Sequence, residues 1–91
     1  MKLVYRLHTL ERMFKRRIGE EAVRQVLKIG ETIERYPDDE PYPSRLVLGW
    51  YNGRAVHVVV ADNQEAGEQI VITVYEPDPE RWQPDFRRRK A

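Results

Sequence analysis

RLVLGWYNGRAVHVVVA, residues Arg45 to Ala61, is a pair of apolar runs joined by Asn52-Gly53. Asn-Gly between two such runs is the strongest short-range hairpin signal, because both residues tolerate the positive φ that a type I′ turn demands. A two-residue loop sets Tyr51 opposite Arg54 and so sets every later pair. Leu46, Leu48, Trp50, Ala55, His57 and Val59 then share one face. Arg45, Val47, Gly49, Tyr51, Arg54, Val56, Val58 and Val60 share the other. Neither face reads as freely solvated, so each must be covered.

Outward from the hairpin, Ile70 to Tyr75 reads as the last strand. Ile70, Ile72 and Val74 are expected on an apolar core face, with Val71, Thr73 and Tyr75 on a mixed one. Glu31 to Tyr36 is a weakly hydrophobic strand expected near a sheet edge, and Pro37 to Pro43 is an acidic, proline-broken loop. Before it, Lys2 to Arg6 forms a short strand leading into a helix from Leu7 to about Arg17. Leu7, Leu10, Met13 and Phe14 lie on one arc of that helix, while His8, Arg12 and Arg16 stack on the opposite arc. A second helix spans Glu20 to Ile29, with Ala22, Val23, Val26 and Leu27 inward and Gly30 at its C′ position. Helix pair first and strands after predicts an α+β domain: an N-terminal αα-hairpin on one face of an antiparallel sheet of about four strands. The domain covers residues 1–78, followed by an extended basic C-terminal tail at 79–91.

The chain has 91 residues, 16 Lys plus Arg, 15 Asp plus Glu, and no cysteine. A single domain of this size buries only about 60 to 65% of its unfolded surface and gains from a partner. The near-balanced charge argues neither for nor against nucleic acid. The lack of cysteine fits a reducing compartment, and the short apolar run in MKLVYRLH is no signal peptide, so a cytoplasmic location is expected.

Two groups of side chains carry candidate chemistry. His8, Arg12 and Arg16 make a basic column in which planar guanidinium groups suit phosphate oxygens and an imidazole moves a proton near neutral pH; a solvated helix face is the competing reading. His57 interrupts AVHVVVA, either as an acid or base displayed on the sheet or as a half-buried imidazole bonded to a neighbour. Tyr75, on the mixed face, is a phosphate-orienting group or proton donor, or else packing. Arg45 and Arg54 complete the phosphate-binding candidates. Pro37-Asp38-Asp39-Glu40 fails as a metal-nuclease motif, because the only later lysine is Lys90. Two distant histidines without cysteine make no metal site, and no glycine spacing marks a nucleotide cofactor. Trp82, Phe86 and Arg87 to Lys90 mix aromatics with cations as single-strand nucleic-acid contacts do, but a frayed basic C-terminus is the preferred reading.

Taken together, His8-x3-Arg12-x3-Arg16 with Ile18, Val23-x2-Val26-Leu27-x2-Gly30, Leu48-Gly49, Arg54-x2-His57-Val58-Val59 and Ile72-Thr73-Val74-Tyr75 resemble a bacterial domain-of-unknown-function family, DUF4258, from about Tyr5 to Asp78. The resemblance implies kinship with the RelE and BrnT group of small toxins, metal-independent endoribonucleases paired with antitoxins, and so a RelE-like fold. In such chemistry His57, His8 and Tyr75 would be catalytic, and Arg12, Arg16, Arg45 and Arg54 would bind RNA phosphates, without metal or cofactor. RNA and an antitoxin protein, or a second copy of the chain meeting the apolar sheet face, are the implied partners. A non-catalytic interaction or self-association module using the apolar hairpin face is the alternative. His8 and His57 share one site only if the first helix packs at a sheet edge or His57 points to the helix side.

Overall fold

The computed structural model describes residues 1–91. Its elements are β1 (Lys2–Tyr5), α1 (Leu7–Arg16), α2 (Glu20–Ile29), β2 (Glu31–Tyr36), β3 (Ser44–Tyr51), β4 (Arg54–Asn63) and β5 (Glu68–Tyr75). The strands form one sheet in the order β1-β5-β4-β3-β2. The α+β architecture is as expected, with one difference. Lys2–Tyr5 joins the sheet parallel to β5, making five strands and a mixed sheet.

Asn52 and Gly53 have φ of 51° and 77°, so the turn takes the left-handed conformations that Asn-Gly permits. The register then runs without a slip from Tyr51↔Arg54 to Ser44↔Ala61. Val47, Val56, Val58 and Val60 fall on one face and pack with Met13, Ile18, Ala22, Val23 and Val26 of the helical layer. Gly49 lets α2 approach that face closely: a Cβ there would lie 2.8 Å from Val26 Cγ2 and 3.0 Å from its Cα. Gly30 closes α2 as expected, without taking a left-handed conformation. It is extended, and it is needed because a Cβ would collide with the Val26 carbonyl and sit 2.6 Å from the Leu48 carbonyl oxygen. The left-handed cap falls instead on Arg17, after α1.

Two expected faces are wrong. On β5, Val59 pairs with Thr73 and Val60 with Val71, so Ile72 is an extra bulged residue. The bulge resets the alternation, placing Val71 and Val74 in the core instead of Ile70, Ile72 and Val74 together. On α1, Thr9 and Met13 are buried, whereas Leu7, Leu10 and Phe14 are 72%, 44% and 85% exposed. The helix is turned so that polar groups meet the sheet. Thr9 Oγ1 donates to the Ile72 carbonyl at 2.9 Å, and Arg16 Nη1 donates to the Val74 carbonyl at 2.8 Å.

The last residues do not run free as an extended tail. Backbone bonds Gln83 N–H to Arg88 C=O and Lys90 N–H to Arg81 C=O fold them into a tight antiparallel loop. That loop lies on the sheet face away from the helices, burying Trp82 against His57.

Replacing Gly49 by alanine should destabilise the domain by about 1 to 3 kcal/mol through overpacking against Val26, read as a fall of several degrees in Tm. Gly53→Ala tests a different cost, because a Cβ there meets nothing within 4 Å and only the positive φ opposes it.

Candidate functional site

His57 sits on β4 directly opposite Tyr75 of β5, on the same face as Thr73. It is completely buried. Its Nε2 lies 2.9 Å from the carbonyl oxygen of Phe86, and its Nδ1 lies 3.2 Å from the Tyr75 hydroxyl. A carbonyl only accepts, so Nε2 carries the hydrogen, Nδ1 is the acceptor, and the Tyr75 hydroxyl donates to it. Trp82 meets the imidazole edge-on at 4.5 Å between centroids. Burial lowers the His57 pKa, only partly opposed by the Phe86 carbonyl, which favours the charged form. The imidazole is therefore neutral at pH 7.

Around this pair the chain brings cations from its two ends. Burial raises the Tyr75 pKa, while the charges of Arg89 and Arg16 pull it down and Glu34 pushes it up. Arg16 is placed by its bond to the neighbouring Val74 carbonyl. Arg89 is placed by Glu34, 3.5 Å away, and by the Trp82 ring, whose centroid is 4.8 Å from its guanidinium carbon. Glu34 also accepts a hydrogen bond from Tyr36, which holds its carboxyl below the usual range. The Tyr36 hydroxyl is pushed up to about 12, first by burial and then by that carboxylate.

A cleft of about 530 Å³ opens beside Tyr75, walled by Trp82, Arg81, Arg89 and Lys90 together with Glu76, Asp78 and Glu80. Two of these carboxylates are engaged by arginines: Glu76 lies 3.1 Å from Arg54, and Asp78 lies 4.0 Å from Arg81. No group of three or more His, Asp or Glu side chains is arranged to hold a metal ion.

Of the residues singled out from sequence, His57, Tyr75 and Arg16 come together. His8 and Arg12 stay exposed on α1, and neither makes a side-chain hydrogen bond or ion pair to the His57 cluster. Arg45 points to the other face of the sheet, where it pairs with Asp62 at 2.9 Å and reaches Thr32 at 3.2 Å. Arg54 is spent on its exposed pair with Glu76. Glu34 and Tyr36 were missed from sequence, and Trp82 and Arg89 were noted only as part of the C-terminal tail, not as neighbours of His57 and Tyr75. A signal for the C-terminal residues existed: the His57 face needed cover, and Trp82 and Phe86 were large aromatics left to supply it.

The family model described as Domain of unknown function (DUF4258) matches residues 5–76. The chain belongs to the DUF4258 family. His8, Arg12, Arg16, His57 and Tyr75 of this DUF4258 chain lie within the matched residues, whereas Trp82, Phe86 and Arg89 lie beyond them. No curated protein and no solved structure matches the chain.

The sealed imidazole couples stability to pH. The unfolded chain titrates His57 near its ordinary value, about 6.5, and folding lowers that value. Below about pH 6.5 the unfolded state binds more protons, so the contribution of His57 is fully present above that pH and is lost as pH falls through the lowered folded-state pKa. Tm should therefore drop between pH 7.5 and 5. His57→Gln should flatten that limb while costing about 1 to 3 kcal/mol at pH 7.5, through imperfect bonds to Tyr75 and Phe86. Parallel melting curves for the two proteins would remove His57 from this role.

Proposed function

We propose that this chain is the RNA-directed member of a toxin-antitoxin pair, a metal-independent endoribonuclease of RelE-like kind working in the cytoplasm. Its proton-handling pair is Tyr75 and His57. The reading rests chiefly on one observation: the Tyr75 hydroxyl is bonded to His57 Nδ1 beside an open cleft that Tyr75 shares with Arg89, while Arg16 from the first helix is bonded to the carbonyl of the adjoining Val74. A phenol backed by a neutral imidazole and flanked by guanidinium groups suits a reaction in which a proton leaves a hydroxyl next to a phosphate.

In the proposed reaction the RNA 2′-hydroxyl gives its proton to the Tyr75 oxygen as Tyr75 gives its own to His57 Nδ1. The 2′-oxygen bonds to phosphorus and the bond from phosphorus to the 5′-oxygen breaks. The imidazolium returns the proton through Tyr75 to the departing oxygen, leaving a 2′,3′-cyclic phosphate and a 5′-hydroxyl. Arg16 and Arg89 stabilise the equatorial oxygens. Arg12 and His8, one and two turns back along α1, extend the track for the RNA backbone.

A non-catalytic reading is favoured by a separate observation. Both ring nitrogens of His57 are occupied and the ring has no exposed surface, as for a satisfied structural histidine. The form of that reading that uses the apolar hairpin face has little surface to work with, since Leu46, Leu48 and Ala55 are buried and only Trp50 is substantially exposed, at 49%.

Single-stranded RNA incubated with the purified chain in the presence of a chelator distinguishes the two. Tyr75→Phe should keep the circular dichroism spectrum and lose about 100-fold in cleavage rate, and Arg16→Ala should weaken RNA binding and its salt dependence. RNA left uncut by the wild-type chain, with no binding at low salt, would sink the RNA reading.

A further inference from the structure

Leu7, Leu10 and Phe14 stand in one row on α1 at i, i+3 and i+7, facing away from the sheet and exposed by 72%, 44% and 85%. This row is not free to turn inward. Thr9 and Arg16 hold the opposite side of the helix against the Ile72 and Val74 carbonyls, and Met13 is inserted in the core. A rotation that buried the row would strip those carbonyls of their donors.

The charge around the row is one-sided. Arg6, Lys15 and Arg17 lie on or beside α1 near the row, Arg12 lies on the far arc, and Glu11 is the helix's single carboxylate. Arg24, Arg45, Arg54, Arg81, Arg87, Arg88 and Arg89 are in ion pairs, whereas these α1 cations, like Lys2, Lys28, Arg35 and Lys90, are not. Where α1 turns into α2, a notch of about 580 Å³ is lined by Met13, Phe14 and Ile18 with Lys15 and Arg17 beside them. It is an apolar socket with cations next to it.

We propose that the outward row of α1 and this notch form the docking site for an acidic amphipathic helix of a partner protein. Its apolar side chains at i, i+3 and i+7 would lie along Leu7, Leu10 and Phe14, one of them entering the notch, with its carboxylates meeting Lys15 and Arg17. A second copy of the chain is disfavoured because pairing α1 with α1 brings like charges together. A membrane surface is disfavoured because it calls for a broad apolar face and has no use for a socket beside Phe14.

The probe is a synthetic helical peptide with leucines at i, i+3 and i+7 and glutamates on its flanks, tested beside a version with lysine flanks, against the full chain. The glutamate peptide should bind in fluorescence anisotropy at low salt, shift the backbone amide signals of Leu7, Leu10, Phe14 and Gly19, and lose about tenfold or more in affinity on Phe14→Glu. Phe14 is exposed, so that variant keeps the fold, which its unchanged melting curve verifies; Lys15→Glu must weaken the same peptide. No binding, equal binding of the two peptides, or indifference to Phe14→Glu would overturn the proposal. So would a dimer of the free chain that Phe14→Glu dissociates, or binding confined to vesicles of anionic lipid.

Discussion

β1 pairs with β5 only from Glu68 to Val71, and β5 then continues to Tyr75 with its outer edge lacking a strand. Carbonyl groups on that edge need donors, since a buried backbone acceptor left unpaired costs on the order of 1 to 3 kcal/mol. Only Arg6 separates β1 from α1, so the helix is delivered straight onto the open edge. Thr9 and Arg16 supply the donors, and the rotation of α1 follows from where those two side chains must point. Met13 is the large apolar side chain of α1 that this rotation buries, Leu7 and Phe14 are turned outward, and the Arg16 guanidinium is brought beside Tyr75.

The two faces of the sheet are closed by different means. On one, valines meet α2 so closely that Gly49 leaves its place to Val26. On the other, the C-terminal loop sets Trp82 over His57 and Phe86 at 5.9 Å from Trp50. Its ion pairs, Arg87 with Glu31 and Arg89 with Glu34, are largely exposed and contribute little. Aromatic burial holds the loop. That explains why a histidine interrupts the valines of β4: a valine at position 57 would leave the Phe86 carbonyl and the Tyr75 hydroxyl without partners beneath the loop.

The residues gathered at Tyr75 come from four separate parts of the chain: Arg16 from α1, Glu34 from β2, His57 from β4, and Arg89 from the last few positions. Of these, Arg16, His57 and Tyr75 were legible beforehand, because each broke or ended a pattern. Arg89 was one of four consecutive cations with nothing to set it apart, and Glu34 was one of several acids on an edge strand. Arg45 and Arg54 shared a hairpin face in the sequence reading. In the fold Arg45 is drawn to Asp62 on the side away from His57, and Arg54 is drawn to Glu76.

Local chemistry was readable from residue order alone wherever the period or the turn residue left one answer. Asn52-Gly53 set the hairpin register, Ala22, Val23 and Val26 set the inner face of α2, and the weak hydrophobicity of Glu31 to Tyr36 set an edge strand. What depended on distant partners was decided only when the chain folded. The inner face of α1 answers to carbonyls more than fifty residues away, the alternation of β5 is reset by a bulge against β4, and the covering of His57 waits for a loop twenty-five residues downstream. Hydrophobic period records which side chains are apolar, but an unpaired carbonyl at a sheet edge is a stronger demand than one more buried leucine, and nothing within α1 itself reveals that demand.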